Sequence, residues 1–132
     1  MAIVGDTASI IMPIHSDPAF AAKQAVLAKL ETATGWRIII PAYDSEMPVF
    51  DVERARRSLN GVALVIADLS RARPSCYFEL GFAEALNKTI RRIAERGSEI
   101  HQTSGRTAVT FYEGLTGFER VLLEILQEQA RR

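Results

Sequence analysis

Apolar residues fall in two spacings along this chain. Short, nearly unbroken runs occupy residues 8–14 (Ala-Ser-Ile-Ile-Met-Pro-Ile), 36–43 and 62–67 (Val-Ala-Leu-Val-Ile-Ala), and a β-branched and aromatic run occupies 107–112. Runs of that length and continuity suit strands buried on both faces, whereas recurrence every third or fourth residue suits amphipathic helices. Asp17 before Pro18 marks a helix start, because Asp accepts from the free N–H groups of a first turn and Pro has the backbone angle of a first helical residue. The predicted helix runs to about residue 34, where Gly35 stops it. Residues 48–58 form a second helix, ended by Asn60-Gly61, and residues 75–87 a third. In the last helix Thr116 and Glu119 have capping-box spacing, and Phe118, Val121, Leu122, Ile125 and Leu126 form a continuous stripe. Strands alternating with helices predict an α/β protein: one mostly parallel sheet covered on both faces.

Residues 89–95 admit two readings. A helix continued from Ser75 to Arg96 aligns Phe78, Phe82, Ala85, Thr89 and Ile93 on one face, with Gly97 as its stop. A parallel sheet, however, requires a further strand after that crossover, and Asn87-Lys88 is a plausible break, so we assign 89–95 to a strand. Adjacent Arg91 and Arg92 suit a strand at an interface rather than an interior one. Residues 97–106 form a loop, and no repeat, linker or low-complexity tract interrupts the chain.

Composition narrows the class. The 132 residues carry 16 Lys and Arg against 16 Asp and Glu, a formal net charge of zero. That length suits a single domain spanning 1–132 with a core that needs no staple. Balanced charge argues against a nucleic-acid polymer as partner, since phosphate binding requires a surplus of Lys and Arg. Cys76 is the single cysteine, and there is neither a membrane-length apolar run nor a signal-peptide pattern, which fits a cytoplasmic protein with no membrane partner. With His15, His101 and Cys76 lacking paired spacing, no metal site is predicted.

In open parallel sheets, ligands bind beyond the carboxyl ends of the strands. Those ends present His15, Ser16 and Asp17 after the first strand, Tyr43 and Asp44 after the second, Asp68 to Arg73 after the third, and Phe111 to Glu113, including Tyr112, after the last. Glu79 joins them from the helix that begins at Ser75. A carboxylate near a helix N-terminus is favoured in its ionised form, which suits a nucleophile or a stabiliser of a cationic transition state; a charge–dipole pair on the surface is the bland alternative. Asp68 either takes part in chemistry or turns its own loop. Arg71 and Arg73 beside the Ser75 helix start suit a phosphate, or else solvent. Cys76, next to Tyr77 and Phe78, reads as a buried small residue rather than a nucleophile.

The stretch from Ala67 to Leu86 (Ala-Asp-Leu-Ser-Arg-Ala-Arg-Pro-Ser-Cys-Tyr-Phe-Glu-Leu-Gly-Phe-Ala-Glu-Ala-Leu) resembles the nucleoside 2-deoxyribosyltransferase superfamily, which carries a Glu in a similar aromatic-Glu-Leu-Gly-aromatic-Ala setting. The same segment is similar to TIR-type NAD hydrolases, whose Ser…Cys-x-x-Glu-Leu pattern is matched by Ser75, Cys76, Glu79 and Leu80. The resemblance implies a flavodoxin-like, Rossmann-like three-layer α/β/α fold of about five strands. It implies N-glycosidic cleavage of a nucleoside, nucleoside 5′-phosphate or NAD-like nucleotide, with Glu79 as the catalytic glutamate and Asp68 binding the base or tuning Glu79. The loop Ser70 to Ser75 would then approach a 5′-phosphate or sugar hydroxyls, with Arg71 or Arg73 supplying charge. It implies no cofactor, and a homo-oligomer, since a neighbouring subunit completes the pocket in several relatives. Three features depart from the pattern, one of them the Arg91-Arg92 pair where an apolar strand is expected. Met12-Pro13-Ile14-His15-Ser16 stands where some relatives have a Gly-Gly-Ser-type phosphate loop, and no long acidic insertion precedes the catalytic helix, so transfer and hydrolysis are equally supported.

A non-catalytic nucleotide-sensing or assembly module is the second reading. A phospho-acceptor receiver built on Asp68 ranks third, because Ile14-His15-Ser16 lacks the acidic pair that would hold Mg²⁺ and Phe111-Tyr112-Glu113 lacks the expected Lys.

Overall fold

A computed structural model describes residues 6–41, 51–101, 103, 105 and 108–130. In chain order the elements are β1 (Thr7–Ile11), α1 (Phe20–Thr34), β2 (Arg37–Ile39), α2 (Val52–Leu59), β3 (Leu64–Asp68), a 3₁₀ turn (Ser70–Ala72), α3 (Pro74–Ala85), β4 (Ile90–Glu95), β5 (Val109–Tyr112) and α4 (Gly114–Ala130). The five strands form one all-parallel sheet in the order β2-β1-β3-β4-β5. Ala8 to Ile11 lie in register with Leu64 to Ala67, and Val65 to Asp68 with Ile90 to Ile93.

Alternation along β3 divides the core. Leu64 and Ile66 join β1 residues Ala8 and Ile10, the α1 residues Leu27 and Leu30, and the α4 stripe Phe118, Val121, Leu122, Ile125 and Leu126 on one face. Val65 and Ala67 turn to the other face, against Leu59 from α2 and Cys76, Leu80 and Ala83 from α3. The result is a three-layer α/β/α sandwich, the arrangement expected of strands that are apolar on both sides. No helix among the described residues is long and apolar enough to cross a membrane.

The structure redraws several element ends. β1 stops at Ile11, so Met12 to Ile14 belong to the following loop. Asp17 caps one turn early: its carboxylate accepts the Ala19 N–H at 2.8 Å and its carbonyl the Phe20 N–H, and α1 proper starts at Phe20. Gly35 closes α1 in the left-handed conformation (φ 78°). β2 is a three-residue edge strand, half-exposed rather than buried. Asp51 caps α2 by accepting the Arg54 N–H, and the part of the expected helix before it lies outside the described residues.

Residues 90–95 are a strand, as the sheet requires. The arginine pair sits on an interior strand, between β3 and β5, and each guanidinium meets a helix glutamate of its own chain. Arg91 pairs with Glu128 of α4 at 3.2 Å, and Arg92, pointing to the opposite face, pairs with Glu84 of α3. The capping box does not form: α4 already begins at Gly114, which places Thr116 inside the helix, and Glu119 pairs instead with Lys29 of α1.

Candidate functional site

The carboxyl ends of β1, β3, β4 and β5 converge on a sealed polar network. Asp68, the last residue of β3, follows Leu64 and Ile66 in pointing to the α1/α4 side and is fully buried. One carboxylate oxygen accepts the Ser70 N–H (3.0 Å) and the Ser70 hydroxyl (2.6 Å), and the other accepts the Tyr112 hydroxyl (2.7 Å). Ser70 Oγ in turn accepts the Glu95 N–H at 2.7 Å, which ties in the end of β4. Lys23 Nζ donates to Tyr112 Oη at 3.1 Å and to Asp17 Oδ2 at 2.7 Å, and lies over the Tyr112 and Phe118 rings at 5.4 and 5.3 Å.

Every member has a partner, the condition under which burying such groups is tolerable. Burial pushes the Asp68 carboxyl above its ordinary value, against the opposing effect of the Ser70 and Tyr112 hydrogen bonds and the Lys23 charge. Burial also works upward on Asp17, but the Lys23 and Ala19 hydrogen bonds and the charges of Lys23 and Arg71 together outweigh it and hold Asp17 below the usual carboxylate range. Burial and the neighbouring Asp68 carboxylate push the Tyr112 hydroxyl upward, which keeps it a neutral donor.

Of the residues expected to meet a ligand, the structure thus brings Asp68, Ser70 and Tyr112 together, as a floor rather than as walls: they are 0%, 1% and 4% exposed. Lys23 is the member that sequence reasoning passed over. Its signal was its place in the α1 pattern Lys23, Leu27, Leu30, where a charge occupies a position of the core-facing stripe.

Above this floor the loops carry the accessible groups. His15 is exposed, and Ser16 is half-buried with its Oγ enclosed and unpartnered among the described residues. Arg71 is 41% exposed at its side chain and its Nε stands 3.8 Å from Asp17 Oδ1, which links the loops after β1 and β3. Arg71 and Ala72 are consecutive non-glycine residues with positive φ (66° and 49°), a strained turn held from below by the Ser70 hydrogen bonds. Arg73 takes the N-cap position of α3 in extended conformation without a side-chain cap bond, and Ser75 is exposed in the first turn. Tyr43 and Asp44 lie outside the described residues.

Glu79 stands apart from the network, on the helix that packs against the other face of the sheet. It falls in the α3 pattern Cys76, Glu79, Ala83, whose other two members are buried, and is itself half-buried. As the sixth residue of α3 it is past the first turn, where the free N–H groups act. The helix terminus therefore does not hold it ionised; burial instead pushes its carboxyl up to about 7. Cys76 lies within electrostatic reach of both Glu79 and Asp68. Burial first, then those two carboxylates, push its thiol up to about 12, consistent with an inert core residue. Among the described residues no group of three or more His, Cys, Asp and Glu is placed to hold a metal ion.

No protein-family model matches the sequence, and no curated protein matches it. Solved structures do share its shape. The chain is similar to the CMP N-glycosidase BcmB of Clostridium botulinum, with a TM-score of 0.60 and 13% identity over 89% of this chain and 98% of that one. It is also similar to the constitutive lysine decarboxylase of E. coli (TM-score 0.57, 16% identity, 96% of this chain and 17% of that one). The Francisella novicida lysine decarboxylase LdcF matches likewise (TM-score 0.55, 11% identity, 97% and 18%). The chain thus spans less than a fifth of either decarboxylase but nearly the whole of the N-glycosidase. At these identities the likeness is one of fold: this three-layer α/β arrangement is found both as an N-glycosidase and as a small part of much longer decarboxylase chains.

Proposed function

We propose that this protein cleaves the N-glycosidic bond of a nucleoside or nucleoside 5′-phosphate, with Glu79 as the carboxylate that faces the anomeric carbon. The observation that carries the reading is a half-buried glutamate on α3, between the buried Cys76 and Ala83 and following the strand end at Asp68, in a fold that a CMP N-glycosidase shares over most of both chains. As the C–N bond breaks, the base leaves with the bonding pair and positive charge builds on the sugar. An ionised Glu79 lowers that barrier either by stabilising the oxocarbenium ion or by bonding to the anomeric carbon; water, or a second base, then takes the sugar. In this scheme Asp68 is a positioning residue, because it is sealed beneath the loops, and Arg71 and Arg73 supply positive charge for a 5′-phosphate.

The test is chromatographic. Wild type and Glu79→Gln are incubated with nucleosides, nucleoside 5′-monophosphates and NAD, with and without a free second base. Base release by the wild type alone is the expected result, and base exchange would mark a transferase. The same fold occurs as a small part of the longer lysine decarboxylase chains, and the second reading is a binding or assembly module without turnover. That reading takes over if neither protein releases base while a panel member raises the melting temperature of both.

A further inference from the structure

β5 is an outer strand of the sheet, with β4 on one side and no strand on the other among the described residues. Such edges are sites where another chain can add, and proteins commonly blunt them with charge or proline. Here the edge carries an exposed Thr110 and a 45% exposed Phe111, with Leu115 41% exposed just beyond it. Beside Phe111 the end of β5 and the outer ridge of α4 enclose a cleft of about 350 Å³.

Four charged side chains line this cleft: Arg96, Arg120, Glu113 and Glu124. None of them forms an ion pair among the described residues, whereas Glu119 and Glu128 of the same helix are paired within the chain, to Lys29 and Arg91. Two cations balanced by two anions leave no surplus to draw in an ion of either sign. The pattern is complementary to itself, and the whole chain has a formal net charge of zero, so two copies approach without overall repulsion.

We propose that this face joins two copies of the chain in an isologous dimer. β5 lies antiparallel to its counterpart across a two-fold axis, with Phe111 near the axis. The two α4 helices, each of 17 residues, then run side by side and antiparallel on the same face of the extended sheet. Arg120 and Glu124 are one turn apart on one ridge, so the antiparallel arrangement sets Arg120 of each copy against Glu124 of the partner subunit, twice per dimer.

Light scattering on the full chain at micromolar concentration tests this. The wild type is expected at twice its monomer mass. Arg120→Glu and Glu124→Arg each place like charges opposite one another and are expected to weaken the dimer about tenfold or more. Both sites are exposed helix positions, and circular dichroism checks their folding. Mixing the two single variants is expected to restore a dimer, because each reversed charge then meets the opposite reversal. A monomeric wild type overturns the proposal, as does a mixture that stays monomeric or a pair of single variants that dimerise as the wild type does.

Discussion

At Glu79 the chemistry and the stability pull in opposite directions. Its carboxyl is held up to about 7 from an ordinary 4.5 by burial, so the folded protein prefers it neutral. The stability this preference contributes is full below the ordinary value and is lost as pH rises through about 7. Glu79→Gln, neutral throughout, is therefore expected to match the wild type near pH 4 and to exceed it by about 1–3 kcal/mol near pH 8, after allowance for the residual exposure of the side chain. Thermal or urea denaturation at the two pH values measures this; equal differences at both would show that Glu79 is not held neutral by burial. Turnover should move the other way, falling roughly a hundredfold or more in the same variant at pH 8. Because the proposed chemistry uses the carboxylate, kcat/KM is expected to rise with pH and level off above about 7. A rate that instead falls above that point would reassign Glu79 as a proton donor.

At the scale of elements, what the chain reveals of itself depends on how local the determining interaction is. β3 and the α4 stripe were legible because unbroken burial on both faces, or a strict helical spacing, leaves one solution. β4 was legible only through the sheet: its own residues, Arg91 and Arg92, argue against an interior strand, and the Glu128 and Glu84 partners that make them acceptable come from two different helices. The capping box at Thr116 failed for the same reason, since Glu119 has a nearer use in pairing with Lys29 across the α1–α4 contact. The site shows the same division. Asp68, Ser70 and Tyr112 were placed at the carboxyl edge by topology, but that they close into a floor depends on Lys23, a residue distant in sequence from Tyr112. Lys23→Met is expected to cost about 3–5 kcal/mol, because it takes the buried cation partner from Asp17 and leaves that carboxylate the Ala19 N–H and the more distant Arg71. The double variant Lys23→Met/Asp17→Asn should cost much less than the two single changes added together. Denaturation midpoints that simply add would mean that the pair is not coupled.

At the scale of the whole molecule, strand order decides which surfaces act together. In the order β2-β1-β3-β4-β5 the connections diverge between β1 and β3, and the loops carrying Ser16 and Arg71 meet there, joined through Asp17. α3, which carries Glu79, covers the face opposite α1 and α4. The cleft that carries Arg120 and Glu124 belongs to the β5 edge and to α4, on the far side of β3 and β4 from that crevice. A dimer formed there brings the partner subunit to the β5 edge rather than to Glu79, so association and turnover should be separable. Arg120→Glu is accordingly expected to lose the dimer while keeping kcat/KM for base release within about twofold of the wild type. The two quantities are read on the same samples across a dilution series, in which the monomer fraction rises as concentration falls. If specific activity instead tracks the dimer fraction, the partner subunit contributes to the site at Glu79, and the interface that matters for catalysis lies elsewhere than this edge or extends well beyond it.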